Sequence, residues 1–278
     1  MPKVIFDTSG INALEKTGLS GSDPVMTRLN RDFEVILTSM NEGELIATHD
    51  PAVRGPLLAV FIRLLQSAPC LCPHFEIVRL LVSAHAGSGS PFSWTNVDVT
   101  AGEYRDAIIS RDFDEDELSA AQRAQQRATK RLFKESSRSV RKALLIDESK
   151  RPSTYANAAA LEDGAVLRVF ARALYHDCSG RELTAAEIQS FMDACPPFRA
   201  ASHGRFMDFY NEALRPLDGS TGRAAGINDL MAAAYLPYCN WFVTADEPQE
   251  RSLLEVASEA KLECEILSFN EFDRRLRS

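Results

Sequence analysis

Residues 3–12 read KVIFDTSGIN, and the placing of one acid in this stretch decides how the chain is read. Val4, Ile5 and Phe6 form a continuous apolar run followed at once by turn residues, the pattern of a short buried strand. Asp7 stands where the chain leaves the sheet, and Thr8, Ser9 and Gly10 follow as turn and helix-start residues. A carboxylate in that position either caps the next helix or faces a ligand crevice at the carboxyl end of the strand. The choice depends on whether the same arrangement returns elsewhere.

Strand-like runs are few and short: FEVILT at 33–38, WFVT at 241–244 and CEIL at 264–267. Helical patterns separate them, including PLLAVFIRLLQ at 56–66 and FEIVRLLVSAHA at 75–86. That alternation predicts an α/β fold with a mostly parallel sheet flanked by helices. The middle of the chain, bounded by GSGSP at 87–91 and LDGSTGRAAG at 217–226, has little strand character. It carries helical patterns at 115–146, 161–175 and 184–195, the last opened by Thr184 with Glu187 three residues on, a capping box. The expected organisation is an α/β domain formed by 1–86 and 226–278, interrupted by an all-helical insertion over 87–225.

Asp7 has company. The second strand runs into TSMNEGELIATHD, with Glu42 and Glu44 just past its end, and the strand WFVTADE places Asp246 two residues beyond Thr244. Asp229, in GINDLMAAAYL (226–236), falls in the first turn of an alanine-rich helix. Each acid taken singly reads as a helix cap or a first-turn acid complementing the macrodipole. Together they read as a cluster along one edge of a parallel sheet, where ligands bind. Like-charged carboxylates ~4 Å apart repel by about 4 kcal/mol at an effective dielectric near 20, so such a cluster calls for a cation. Oxygen-only ligands suit Mg²⁺ or Mn²⁺. On this reading Asp7 is a metal ligand and not a cap.

The stretches VIFDTSGINAL, LTSMNEGEL and GINDLMAAAYLPYCNWFVTADE together resemble the PIN domain, the metal-dependent nuclease fold of many toxin–antitoxin endoribonucleases and RNA-processing enzymes. The matching features are Asp7-Thr8-Ser9 after an apolar strand, Thr38 with Glu44-Leu45 six positions on, Asp229 opening its helix, and Thr244-Ala245-Asp246 at a strand end. The resemblance covers roughly 1–50 and 226–272, and the stretch between Glu44 and Asp229 is far longer than in compact members of that family. It implies hydrolysis of phosphodiester bonds in single-stranded RNA, in a toxin or defence role, with Mg²⁺ or Mn²⁺ held by Asp7, Glu44, Asp229 and Asp246. Thr244, Asn228 and Glu42 are then expected to orient those ligands. The alternative is a PIN-like protein that binds RNA or acts as a scaffold without catalysis.

The composition sets limits on this reading. With a net charge of −8, 45% apolar and 25% charged residues, the chain is that of an ordinary soluble globular protein, and nucleic-acid contact requires a local basic patch. Residues 119–151 contain one: Arg123, Arg127, Lys130 and Lys134 recur at helical spacing as one candidate cationic face, with Arg131 in the same run. It can track an RNA backbone, pair with the acidic RDFDEDEL at 111–118, or face solvent. The six cysteines form no CxxC pair and read as reduced thiols of a cytoplasmic protein. No apolar run approaches the ~18 residues of a membrane span. Expected partners are the RNA, with a protein inhibitor or further copies of the chain as additional candidates. Two rivals are incomplete: a DxSxS adhesion site fails at Ile11, and a DxD phosphatase motif fails at Ser9.

Overall fold

Alternate residues of the first apolar run part to opposite sides. In the computed structural model, strand β1 (Lys3–Phe6) sends Val4 and Phe6 into one hydrophobic core and Ile5 into another, as the two-residue period of a strand requires. The structure describes residues 1–17, 24–88, 92–102, 109, 115–144, 151–215 and 224–277, without the side chains of 24–26, 115, 129–130, 132–134 and 136–144.

β1 is followed by α1 (Thr8–Lys16) and α2 (Pro24–Asp32), then β2 (Glu34–Thr38), α3 (Ser39–Ile46) and α4 (Pro51–Leu65). A two-residue strand β3 (Cys70–Leu71) leads to α5 (His74–Gly87) and the long α6 (Glu115–Leu144). Helices α7 (Tyr155–Ala159), α8 (Ala165–Ser179), α9 (Ala185–Ala194) and α10 (Pro196–Phe209) follow. The chain returns to the sheet through α11 (Ile227–Met231), β4 (Trp241–Thr244), α12 (Glu247–Glu259), β5 (Glu265–Ser268) and α13 (Phe269–Arg277).

The five strands form one all-parallel sheet in the order β3-β2-β1-β4-β5. β1 sits at its centre, with Val4 level with Val35 on one side and Trp241 on the other. β3 lies outside the sequence expectations, because two residues are too few to show a period. The expected boundaries of the other strands agree with the structure to within a residue or two. Thr184 and Glu187 form the expected capping box of α9.

Helices cover both faces of the sheet. On one, Phe6, Val35, Leu37, Val243 and Leu267 pack on α1, α3, α4 and α13 through residues such as Leu14, Leu45, Phe61 and Phe272. On the other, Ile5, Ile36, Phe242 and Ile266 share a single core with Ile77 and Leu81 of α5, and with Tyr155, Phe198 and Phe206 from the middle of the chain. The helices over 155–209 are therefore the layer that closes this face of the sheet. They share one core with the sheet.

Close packing is clearest at Gly204 of α10, where a Cβ would come within 2.5 Å of the Leu230 carbonyl oxygen. Only a glycine lets α10 approach the short helix α11 this closely. Arg54 of α4, buried, donates to the Thr48 carbonyl at 3.2 Å and pairs with Asp116, so α6 is tied down near its start. α6 also packs against α3 and the turn Tyr210–Leu214. No helix among the described residues is long and apolar enough to cross a membrane.

Candidate functional site

The strand order turns back at the sheet centre: the chain steps from β1 outward through β2 and β3, then crosses to β4 on the other side of β1. In an open parallel sheet the crevice outside the carboxyl ends of the strands at such a switch point is the usual ligand site. Here it lies past Phe6 and Thr244, and it opens into a cleft of about 330 Å³. Asp7, Glu44, Asp229 and Asp246 all line it, with Thr8, Ser9 and Gln249 between them. A narrower inner part is lined by Asp7, Glu44 and Asp229 together with Thr38, Asn41, Asn228 and Tyr235. Among the described residues no Lys, Arg or His lines either part.

Each acid is held by a local donor. Asp7 Oδ1 accepts from the Gly10 amide at 2.6 Å, which makes Asp7 the N-cap of α1. The expectation that Asp7 is a ligand instead of a cap is thereby corrected: it caps the helix and lines the cleft at once. Asp246 caps α12, accepting from the Gln249 amide at 2.9 Å. Asp229 Oδ2 accepts from the Gly226 amide at 2.9 Å, and Glu44 Oε2 accepts from the Thr8 hydroxyl at 2.5 Å.

A hydroxyl network joins β1 to β4. Ser9 Oγ donates to the Asp7 carboxylate at 2.9–3.0 Å and accepts from the Ala245 amide at 2.7 Å. Thr244 Oγ1 lies 3.0 Å from Asp7 Oδ2 and 2.8 Å from Gln249 Oε1, so its one proton is shared between these two acceptors. The same oxygen accepts from the Asp246 amide at 3.0 Å. Gly10 permits the approach, since a Cβ there would lie 2.8 Å from the Val243 carbonyl oxygen.

Burial raises the Asp7 carboxyl to about 6, against the opposing pull of hydrogen bonds from Gly10, Ser9 and Thr244. The ionised form is therefore disfavoured in the cleft unless positive charge comes near. The donor set is all oxygen and anionic, with hydroxyls and amides behind it, and this chemistry fits a hard divalent cation. As the side chains stand, no group of three or more His, Cys, Asp or Glu among the described residues converges to hold an ion. Each carboxylate instead rests on its own amide or hydroxyl donor, the arrangement that mutual repulsion favours.

Asn228 lines the inner cleft beside Asp229. Glu42 does not line the cleft: it is buried, with 3% of its surface exposed. Among the basic residues, Arg123 folds back to donate to Ser119 Oγ at 2.5 Å, Arg131 pairs with Glu135 at 3.7 Å, and Arg127 is exposed. Of the four residues expected to share one face, Arg123 keeps its charge while bonded to a neutral hydroxyl, and Arg127 stands exposed. The side chains of Lys130 and Lys134 lie outside the described residues. Of the acidic stretch 111–118, Asp116 pairs with Arg54 of α4.

Sequence reasoning missed Gln249, which is buried, accepts from Thr244, and donates to the Asp229 carbonyl at 3.2 Å. It also missed Asn41, whose amide donates to the Phe6 carbonyl at 3.1 Å and ties the start of α3 to the end of β1. A glutamine three residues after an N-cap acid is an available signal for the first, and a capping position three residues after Thr38 for the second. Comparison with known proteins found no matching family model, no matching curated protein and no matching solved structure.

Proposed function

We propose that the chain is a PIN-like, divalent-metal-dependent endoribonuclease acting on single-stranded RNA. The observation that carries this reading is the cleft at the sheet's switch point, lined by four carboxylates with no basic side chain among its described lining. Asp7, Glu44, Asp229 and Asp246 would hold Mg²⁺ or Mn²⁺. Bound there, the cation supplies positive charge against the charge developing on the phosphoryl group and makes water more acidic.

The chain's own residues fix the geometry. Thr244 and Ser9 hold the Asp7 carboxylate by donating to it. Gln249 couples Thr244 to the backbone of Asp229, so the ends of β1, β4 and α11 are held as one piece. Thr8 fixes Glu44 across the cleft. A non-catalytic, RNA-binding role is the second reading, and the separate donors on which the four carboxylates rest among the described residues favour it.

The test is cleavage of end-labelled single-stranded RNA and DNA with Mn²⁺, Mg²⁺ or EDTA. Wild type is expected to cut RNA only with the metal, and Asp7→Asn and Asp246→Asn to lose the activity while keeping their helix caps, since Asn caps as well as Asp. A folded wild type that cuts neither polymer with either metal overturns the catalytic reading and leaves the binding one.

A further inference from the structure

A second cavity adjoins the acidic cleft and differs from it in chemistry. Its volume is about 500 Å³, and it shares Met40, Glu44 and Asn228 with the inner cleft, so the two abut along these residues. This size falls in the ~300–1,000 Å³ range of small-molecule sites. The residues that give it character are Phe75, His74, Gln122, Gln125, Gln126 and Arg205.

Phe75, at the start of α5, is 61% exposed and is the one aromatic ring among the exposed large apolar side chains of the described residues. The His74 ring meets it edge to face, with centroids 5.7 Å apart at 89°, and this fixes its orientation. His74 is itself neutral, since burial pushes its imidazole down to about 4, and its Nδ1 has no partner among the described residues. In the same lining, a single stretch of α6 presents three side-chain amides, each carrying both donors and an acceptor. Arg127, the next residue along α6, is exposed. Arg205 lines the cavity and pairs with Asp177 at 3.4 Å.

We propose that this cavity receives an unstacked base of a single-stranded nucleic acid whose backbone crosses the acidic cleft, with Phe75 as its stacking platform and the α6 glutamines reading its edge. The inference rests on the phosphodiesterase reading for the path of the backbone, and it adds a base-recognition site built by α5, α6 and α10. Aromatic faces stack bases irrespective of sequence, whereas amides discriminate base edges by donor and acceptor pattern. A base still stacked in a duplex cannot enter. Arg205 in the lining supplies a cation for a flanking phosphate, a local contact on a chain of net charge −8.

The test reads binding apart from cleavage. Single-stranded ribo- and deoxyribo-decamers carrying one 2-aminopurine are titrated with Asp246→Asn protein in Mn²⁺, alone and combined with Phe75→Ala, Phe75→Trp or Gln126→Ala. The two oligomer arms assign the sugar. Stacking is expected to quench the 2-aminopurine, and Phe75→Ala to abolish the quench and weaken binding about 5- to 150-fold, the effect of losing one base–aromatic stack. Phe75→Trp is expected to restore both. Gln126→Ala is expected to keep the quench and change the order of preference among A-, C- and U-rich strands.

Unquenched 2-aminopurine with wild-type Phe75, or affinity unchanged in a folded Phe75→Ala protein, overturns the proposal. Metal-dependent cleavage by the wild type is scored separately. Cleavage without a Phe75 effect sinks the base site alone, and a Phe75-dependent quench without cleavage sinks the nuclease reading alone.

Discussion

Replacing Asp7 by asparagine is expected to make the metal-free protein more stable while removing the proposed cleavage activity. The Asp7 carboxyl titrates at about 6 in the folded chain against an ordinary value of 3.8, mainly because burial disfavours the ion. A raised carboxyl pKa means that the folded state holds the proton more tightly than the unfolded state does. Stability from this group is thus complete below about pH 4 and is lost as the pH climbs to about 6. With one pKa unit worth about 1.4 kcal/mol, and some allowance for partial solvent access, the loss at pH 7.5 is about 2–3 kcal/mol.

The introduced asparagine carries no charge, still accepts from the Gly10 amide as a helix cap, and turns its NH₂ toward hydroxyls able to rotate and accept. At roughly 2 °C per kcal/mol for a chain of this length, thermal unfolding in EDTA at pH 7.5 is expected about 4–6 °C higher in Asp7→Asn than in wild type. At pH 4 the two should nearly coincide. Adding Mn²⁺ is expected to raise wild type, by about 2.7 kcal/mol at a hundred times its dissociation constant, and to leave the variant almost unmoved. A variant less stable than wild type in EDTA at pH 7.5 refutes the electrostatic account of Asp7. Equal Mn²⁺ shifts in the two proteins refute its role as a ligand.

Two further outcomes follow from the packing. Gly204→Ala is expected to cost about 1–3 kcal/mol in urea denaturation, the range of core overpacking, because its Cβ would come within 2.5 Å of the Leu230 carbonyl oxygen. That strain falls on α11, so metal-dependent activity should fall beyond what the stability loss explains. Gln249→Ala removes the amide between Thr244 and the Asp229 backbone and is expected to cost about 1–3 kcal/mol for the buried groups left unpaired. A 10- to 100-fold loss of activity should accompany it, as for other groups that orient ligands, with wild-type activity in a folded variant counting against this role.

The strands that were legible in the sequence are those whose apolar run ends in a turn. VIF and WFVT announce themselves because the polar residues after them are abrupt. β3 does not, since Cys70 and Leu71 are too short a run and gain their place only by pairing with Leu37 and Thr38. Asp7 and Asp246 were legible through their position at a strand end, and Glu44 and Asp229 through the helix starts that follow. Gln249 and the Phe75 cavity were not: their significance lies in contacts between segments far apart in the chain, such as Thr244 against Asp7 and α6 against α3. The long middle looked like an insertion because it lacks strands, yet Tyr155, Phe198 and Phe206 belong to the same core as Ile5 and Phe242. A sequence pattern shows which face of a helix is apolar, but not which sheet that face will cover.

The caps and the cluster are not rival accounts of the same acids. A helix start offers backbone N–H groups that need an acceptor, and a carboxylate has about four lone-pair sites, of which a cap uses one. Capping therefore fixes the rotamer of Asp7 and of Asp246. Asp246 keeps most of its acceptor capacity toward the cleft, and Asp7, which also accepts from Ser9 and Thr244, keeps less. What capping does not explain is the charge. Asn, Ser or Thr caps a helix about as well, and this chain uses Thr38 in that way for α3. At Asp7 a neutral cap would avoid a burial that lifts the carboxyl to about 6. In a cleft with no basic side chain among its described lining, the burial of Asp7 costs the apo fold stability that its capping bond does not return. On the proposed reading, a cation bound there would offset that cost.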